Sequence, residues 1–312
     1  MNFNAPNAAD SAAILEKLNV KPGKIDLVMD TDAFNEIDDQ FAIAYALRSP
    51  ERINLRALYA APFFNDLSDS PADGMEKSYH EILRVLERMH DSRAQDAGFV
   101  FRGSDRYLPD ADTPVESPAA RDLVRRALEA EDVLYVAAIG AITNVASAIL
   151  MEPKIVEKIV LIWLGGHPLY WPDTREFNLR QDIHAARVVL DSGVPLVLIP
   201  CSGVTDHLTL SVPELECWLD GRSEIGTYLT ENVRRALAKE SGNFPGAARV
   251  IWDVTAIAYI IDPDWLPADV VPSPVLTDNV TWSADYRRHL VKVVRWVNRS
   301  SIFRDMIEKL SK

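Results

Sequence analysis

Four short apolar runs constrain this chain more than any other feature: residues 25–29 (IDLVM), 133–139 (VLYVAAI), 159–164 (IVLIWL) and 196–199 (LVLI). Their near-continuous apolar character predicts strands buried on both faces, as in a parallel sheet covered by helices on each side. The segments between them fit that architecture. Residues 38–47 (DDQFAIAYAL) predict a helix with Phe41, Ile43, Ala44 and Leu47 on its buried side. A strand is expected over 55–60. Residues 62–74 are rich in Pro, Asp, Ser and Gly and predict a loop. A long amphipathic helix follows over 75–90, then a short strand at 99–101 and a helix over 119–130. Further helices are expected from about residue 144 and over 183–190. Beyond residue 210 the chain reads as mainly helical to about 262, and the tail, 281–312, as a strand pair and a last helix. The expected fold class is α/β. It is a single domain over 1–312 with a mostly parallel, Rossmann-like sheet flanked by helices, and residues 1–20 form an N-terminal extension.

Charge and cysteine usage exclude several classes. The 46 acidic residues outnumber the 33 basic ones, for a net charge of -13. Phosphate backbones are bound by clustered Lys and Arg, so no nucleic-acid partner is expected. The two cysteines, Cys201 and Cys217, form neither a disulfide framework nor a zinc motif. The N-terminal sequence MNFNAPNAADSAAILEKL lacks the basic start and apolar core of a signal peptide. No apolar run approaches the roughly 18 residues of a membrane span. A cytoplasmic protein with no membrane partner is expected.

The chemistry concentrates at the end of the first strand. In VMDTDAFNEIDDQF, Asp30 closes the strand, Asp32 lies in the following loop, and Asp38 and Asp39 open the helix. An acidic residue at a helix N-terminus is favoured by the helix dipole, which accounts for Asp38 or Asp39 singly. It does not account for four aspartates and Glu36 within the ten residues 30–39. Packed together, these groups repel unless a cation holds them. Oxygen-only ligands suit Ca²⁺ or Mg²⁺, and Ca²⁺ takes about six to eight oxygens. In an open α/β sheet this position, beyond a strand's carboxyl end, is where ligands bind.

From residue 25 to about 265 the chain resembles the inosine–uridine-preferring nucleoside hydrolase family. The resemblance rests on five motifs in order: Asp30-Thr31-Asp32 followed by Asp38-Asp39; Gly140-Ala141-Ile142-Thr143-Asn144; Gly165-Gly166; Glu176-Phe177-Asn178 with Asp182 and Ala185-Ala186 in step; and Asp253 opening an apolar helix. The resemblance implies the nucleoside hydrolase fold and hydrolysis of a ribonucleoside to free base and ribose. It implies Ca²⁺ held by the carboxylates of Asp32, Asp39 and Asp253 and by the backbone carbonyl of Thr143. Asp38 would bind a ribose hydroxyl, Glu176 and Asn178 would hold the ribose, and Asp32 would also take a proton from the attacking water. Asp30 would orient the loop. Asn65 matches a family asparagine near the ribose only loosely. The partner implied is a small ribonucleoside, with a homo-oligomer, dimer or tetramer, left open.

Three positions depart from the family pattern. Five residues, 33–37, separate Asp32 from Asp38 where three are usual, so Asn35 or Glu36 either reaches the site or forms a solvated turn. Trp252 stands where many members carry a histidine that protonates the leaving base; in a purine-preferring branch a tryptophan there stacks on the base. Core packing of Trp252 is the competing reading. An asparagine that family members place before the E-F-N motif is absent from HPLYWPDTREFN, the segment that begins with His167; His167 itself follows a strand end and is placed to line the site. Two rivals stand beside the hydrolase reading. A Mg²⁺-dependent haloacid-dehalogenase-like phosphatase also opens with strand–D-x-D, but Phe34 occupies its Thr/Val position and a late G-D-x-x-x-D is missing. A nucleoside- or sugar-binding protein would retain the fold without turnover.

Overall fold

The computed structural model describes residues 8–240, 244 and 246–312; the first seven residues of the expected N-terminal extension lie outside the described residues. In chain order the first half runs α1 (Ala8–Lys17), β1 (Ile25–Thr31), α2 (Asp39–Leu47), β2 (Ile53–Ala60), α3 (Pro71–Arg88), β3 (Val100–Arg102), α4 (Pro118–Glu129), β4 (Leu134–Ile139) and α5 (Thr143–Met151). The second half runs β5 (Ile159–Leu164), α6 (Phe177–Gln181), α7 (Ile183–Asp191), β6 (Leu196–Ile199), β7 (Thr209–Ser211), α8 (Val212–Trp218), α9 (Glu224–Glu240), β8 (Ala248–Val250), α10 (Val254–Ile261), β9 (Ala268–Pro272), β10 (Val275–Leu276), β11 (Trp282–Ser283), β12 (Leu290–Val294) and α11 (Arg299–Leu310).

Eight strands form one sheet in the order β3-β2-β1-β4-β5-β6-β12-β9. Every pairing is parallel except that of β9 with β12 at one edge. From the β1–β4 pair, sequence order runs outward to β3 on one side and to β12 on the other, with β9 added at the edge. The crevice at the carboxyl ends of these two strands is therefore the topological switch point, the ligand position of open α/β sheets.

Alternation along the strands divides the interior into two apolar layers. Leu27 and Met29 face one layer with residues of α2, α3, α9, α10 and α11. Val28 faces the other, packed with residues of α4, α5 and α7. The helix α2 is buried along Asp39–Ala46, wider than the single side its sequence spacing predicts. It sits between the sheet and neighbouring helices, and a ring of small and apolar residues suits that position.

The expected strands and helices are present, with differences at their ends and in the tail. The helix predicted from residue 75 starts at Pro71, because Ser70 accepts a hydrogen bond from the Asp73 N–H and Pro71 needs no N–H partner in the first turn. The stretch expected to be helical after 210 also contains β8, which pairs with β7. The tail strands do not pair with each other: β11 pairs with β10, and β12 enters the main sheet between β6 and β9. Among the described residues no helix is long and apolar enough to cross a membrane.

Candidate functional site

The two faces of β1 send Asp30 and Thr31 in different directions. Asp30 shares its face with Val28 and points to α5, where the Asn144 amide donates to its Oδ1 at 2.8 Å. The Asn144 carbonyl oxygen accepts from the Ser104 N–H at 2.7 Å and its hydroxyl at 2.9 Å, tying β1 to the loop after β3. Thr31 is on the opposite face, beside α2, and its hydroxyl donates to the Asp39 carboxylate. Asp30 thus stands outside the cluster and belongs to the frame beneath it.

Asp32 leaves the strand and lies against Gly140 at the end of β4. A side chain at Gly140 would place its Cβ 3.1 Å from the Asp32 carboxyl carbon and 3.1 Å from the Ala61 Cβ, a tight contact that the glycine avoids. Asp38 and Asp39 open α2, and Asp253 opens α10. The Asp253 N–H donates to Asp38 Oδ2 at 3.2 Å, joining parts of the chain 215 positions apart. Asp38, Asp39 and Asp253 each bring a carboxylate oxygen to within 4.8 Å of the others. All four aspartates are buried.

Burial is the main reason these carboxyls resist ionisation, and mutual repulsion adds to it. Asp38 and Asp39 are each pushed up to about 7. Asp32 and Asp253 are driven well above the ordinary carboxylate range, by burial first and then by the neighbouring aspartates. Asp32 Oδ2 is buried and has no hydrogen-bond partner among the described residues. Buried, mutually repelling oxygens with an orphaned acceptor fit a hard divalent cation, which would supply the missing charge and coordination. Asp38, Asp39 and Asp253 are placed to hold one, with Asp32 bordering the same space.

The cluster forms the floor of a cavity of about 300 Å³ whose wall includes Glu176 and Asn178, His167, and Trp252. Gly166 takes φ +71°, a left-handed conformation, and its N–H donates to Glu176 Oε2 at 2.8 Å. The N–H groups of Asn178 and Leu179 also reach the Glu176 carboxylate, at 2.9 and 3.0 Å, so it caps α6. Burial still raises the Glu176 pKa above its ordinary value despite these three donors. The Asn178 amide donates to the Leu164 carbonyl at 3.1 Å. His167 is half-buried and its pKa is lowered by burial; its Nδ1 faces the Ser202 N–H at 3.4 Å. Trp252 is half-buried, with the Arg249 guanidinium 5.4 Å from its ring centre.

Two expected residues stand apart from the cavity wall. Thr143 is the first residue of α5, and its hydroxyl donates to Asp182 Oδ2 at 2.7 Å. Asn65 lies in an adjoining groove and touches the cavity only through Asn35, whose Oδ1 accepts from its amide at 2.6 Å. The longer loop does reach the site: both Asn35 and Glu36 border the cavity. Arg175, Phe177, Cys201, Ser202 and Asp206 border it too and were not singled out from sequence. Cys201 and Ser202 directly follow β6, so their place beyond a strand's carboxyl end was the available signal.

A doubly wound sheet with a buried carboxylate cluster and a small cavity at its switch point defines an α/β protein with a binding site for a small polar molecule. Residues 27–304 match the model of the inosine-uridine preferring nucleoside hydrolase family, and the chain belongs to that family. It is 28% identical over 170 residues to the pyrimidine-specific ribonucleoside hydrolase RihB of Escherichia coli O157:H7, a match covering 49% of this chain and 54% of that protein. The chain thus spans about half the length of this curated relative. Its fold is similar to that of a purine-preferring ribonucleoside hydrolase from Gardnerella vaginalis, with a TM-score of 0.72 at 19% identity over 92% of this chain and 98% of the other. It is also similar to the inosine-uridine preferring nucleoside hydrolase from Bacillus anthracis, with a TM-score of 0.68 at 18% identity over 92% and 99% of the two chains.

Proposed function

We propose that the protein hydrolyses the N-glycosidic bond of ribonucleosides to free base and ribose, with Ca²⁺ held by the aspartate cluster. The observation that carries this reading is the set of four buried aspartates opening onto one small cavity. Asp39 and Asp253 would hold the ion together with Asp38 or Asp32, and the family pattern adds the Thr143 carbonyl; when bound, the ion polarises a water and the vicinal ribose hydroxyls. The C1′–N bond breaks with its electrons passing to the base, which takes up a proton from solvent, and the oxygen of a water molecule bonds to C1′. Asp32 takes one proton from that water, as a general base within the cavity. The sugar carries oxocarbenium charge as the bond breaks, and the ionised carboxylates around it, Asp38 and Glu176 among them, stabilise that charge. Glu176 and Asn178 hold ribose hydroxyls.

The decisive experiment measures release of free base from a panel of purine and pyrimidine nucleosides with Ca²⁺ and with chelator. Ca²⁺-dependent release supports the reading; ligand-induced thermal shifts without release of base identify a binding protein instead. The same panel tests ribose recognition. Deoxyribonucleosides should be poor substrates because a site built around a hydroxyl leaves buried polar groups unpaired without it. Equal turnover of adenosine and 2′-deoxyadenosine would count against it. The base preference proposed is for purines, with Trp252 stacking on the ring, because a half-buried tryptophan bordering the cavity offers an aromatic face. Trp252→Ala should lower turnover of inosine with little change in Ca²⁺ affinity. Core packing alone would instead appear as a loss of stability of roughly 3–5 kcal/mol.

A further inference from the structure

Glu36 is a carboxylate that the proposed chemistry leaves without a task, yet it borders the substrate cavity. It is not free to swing in solvent. Loop 33–37 is pinned by the Asn35 N–H on the Asp32 carbonyl at 2.7 Å, by the Gln40 amide on the Ala33 carbonyl at 2.8 Å, and by the Asn65 amide on Asn35 at 2.6 Å. The side chain itself is tied to Arg249, Nη2 to Oε2 at 2.6 Å, with Arg249 only 15% exposed and Glu36 34%. Glu36 lines the same cavity as Asp32, Asp39, Glu176 and Cys201. The ion pair with Arg249 holds this carboxylate in place at the cavity edge. The result is a fixed hydrogen-bond acceptor with no donating capacity.

Arg249 also sets which part of the cavity Glu36 serves. Its guanidinium lies 5.4 Å from the ring centre of Trp252, so Glu36 and Trp252 are neighbouring walls joined through one arginine. Building on the proposed stacking of the base on Trp252, we infer that Glu36 reads the edge of the base, accepting a hydrogen bond from a ring N–H such as N1–H of a 6-oxopurine, and that Arg249 is the positioning residue that holds it there. A ring stacked on the indole presents its edge sideways, and a preorganised acceptor beside that face meets a donor without loop ordering. The substrate class this selects is a nucleoside whose base carries an N–H donor on that edge. Bases alkylated at this position have no hydrogen to donate to the carboxylate and set a methyl group against it, so they are rejected.

The test compares inosine with 1-methylinosine, in which N1–CH3 replaces N1–H, by calorimetric binding and by release of base. The wild-type protein should favour inosine by about tenfold or more in both readouts. Glu36→Gln and Glu36→Ala should reduce that ratio toward one. Arg249→Met should reduce the ratio as well, and Arg249→Lys, which keeps the charge, should restore it. A merely structural arginine would lower stability in both variants and leave the ratio alone. Hydrolysis of both nucleosides at equal efficiency by the wild type, or an unchanged ratio in folded Glu36→Ala, overturns the inference and leaves the hydrolase reading standing. Discrimination in binding with no base released does the reverse. Binding of neither nucleoside overturns both.

Discussion

The carboxyls of Asp38 and Asp39 are pushed up to about 7 in the metal-free protein, and that shift has a definite sign for stability. An unfolded carboxyl ionises near pH 4, so between about pH 4 and 7 the unfolded chain holds fewer protons than the folded one. Stability of the metal-free protein should therefore fall as the pH rises through this window and level off above it. Chemical denaturation at a series of pH values in chelator checks this, and a rising trend would contradict the buried cluster. Ca²⁺ should bind more tightly as the pH rises, with release of protons on binding. Asp39→Asn should abolish tight Ca²⁺ uptake, measured calorimetrically, while raising the melting temperature of the metal-free protein because one of the repelling charges is gone. Gly140 gives Asp32 its room beside the end of β4. Gly140→Ala sets a Cβ against Asp32, so it should weaken Ca²⁺ binding while leaving far-ultraviolet circular dichroism unchanged.

At the scale of elements, the site is assembled by the ends of β1 and β4 and by the starts of α2 and α10. Both helices begin with an aspartate and are almost wholly apolar beyond it, so packing fixes the helices and thereby the carboxylates. The loop after β3 is joined to this frame at Gly103, where any Cβ would overlap the Ala60 carbonyl and the Asn144 amide. Gly103→Ala should destabilise the protein markedly, because backbone on one side and a buried hydrogen-bonded amide on the other cannot both give way; a melting temperature within a degree of wild type would refute that. Much of this frame was legible in the sequence. The central strands are unbroken apolar runs because they are covered on both faces, and β5 and β6 are found where their sequences place them. The β9 edge and the small sheets were not legible: β9 is half exposed, and β7, β8, β10 and β11 have two or three residues each, too few for any period to emerge. In the site, Asp38, Asp39 and Asp253 stood out through clustering and family pattern. Ser202 and Asp206 did not, since a small polar residue after a strand reads like any turn until the sheet order brings it to the cavity.

For the molecule as a whole, charge and topology act together. The chain carries a net charge of -13, and its cavity floor is built of carboxylates. Anionic substrates should be disfavoured both in approach and in binding. Inosine 5′-monophosphate should be cleaved at least about tenfold less efficiently than inosine, and the gap should narrow with added salt as the charges are screened. Saturating Ca²⁺ should also stabilise the entire fold, by about 2.7 kcal/mol at a hundredfold excess over Kd, which denaturation midpoints with and without the ion would show. The Asp253 N–H reaching Asp38 across 215 positions has one more consequence. The indole of Trp252 adjoins that junction, so a lanthanide taken up there in place of calcium would sit close to an ultraviolet antenna. Its luminescence, excited through the indole, would light only when the two distant segments meet, making the protein an optical reporter of its own assembly.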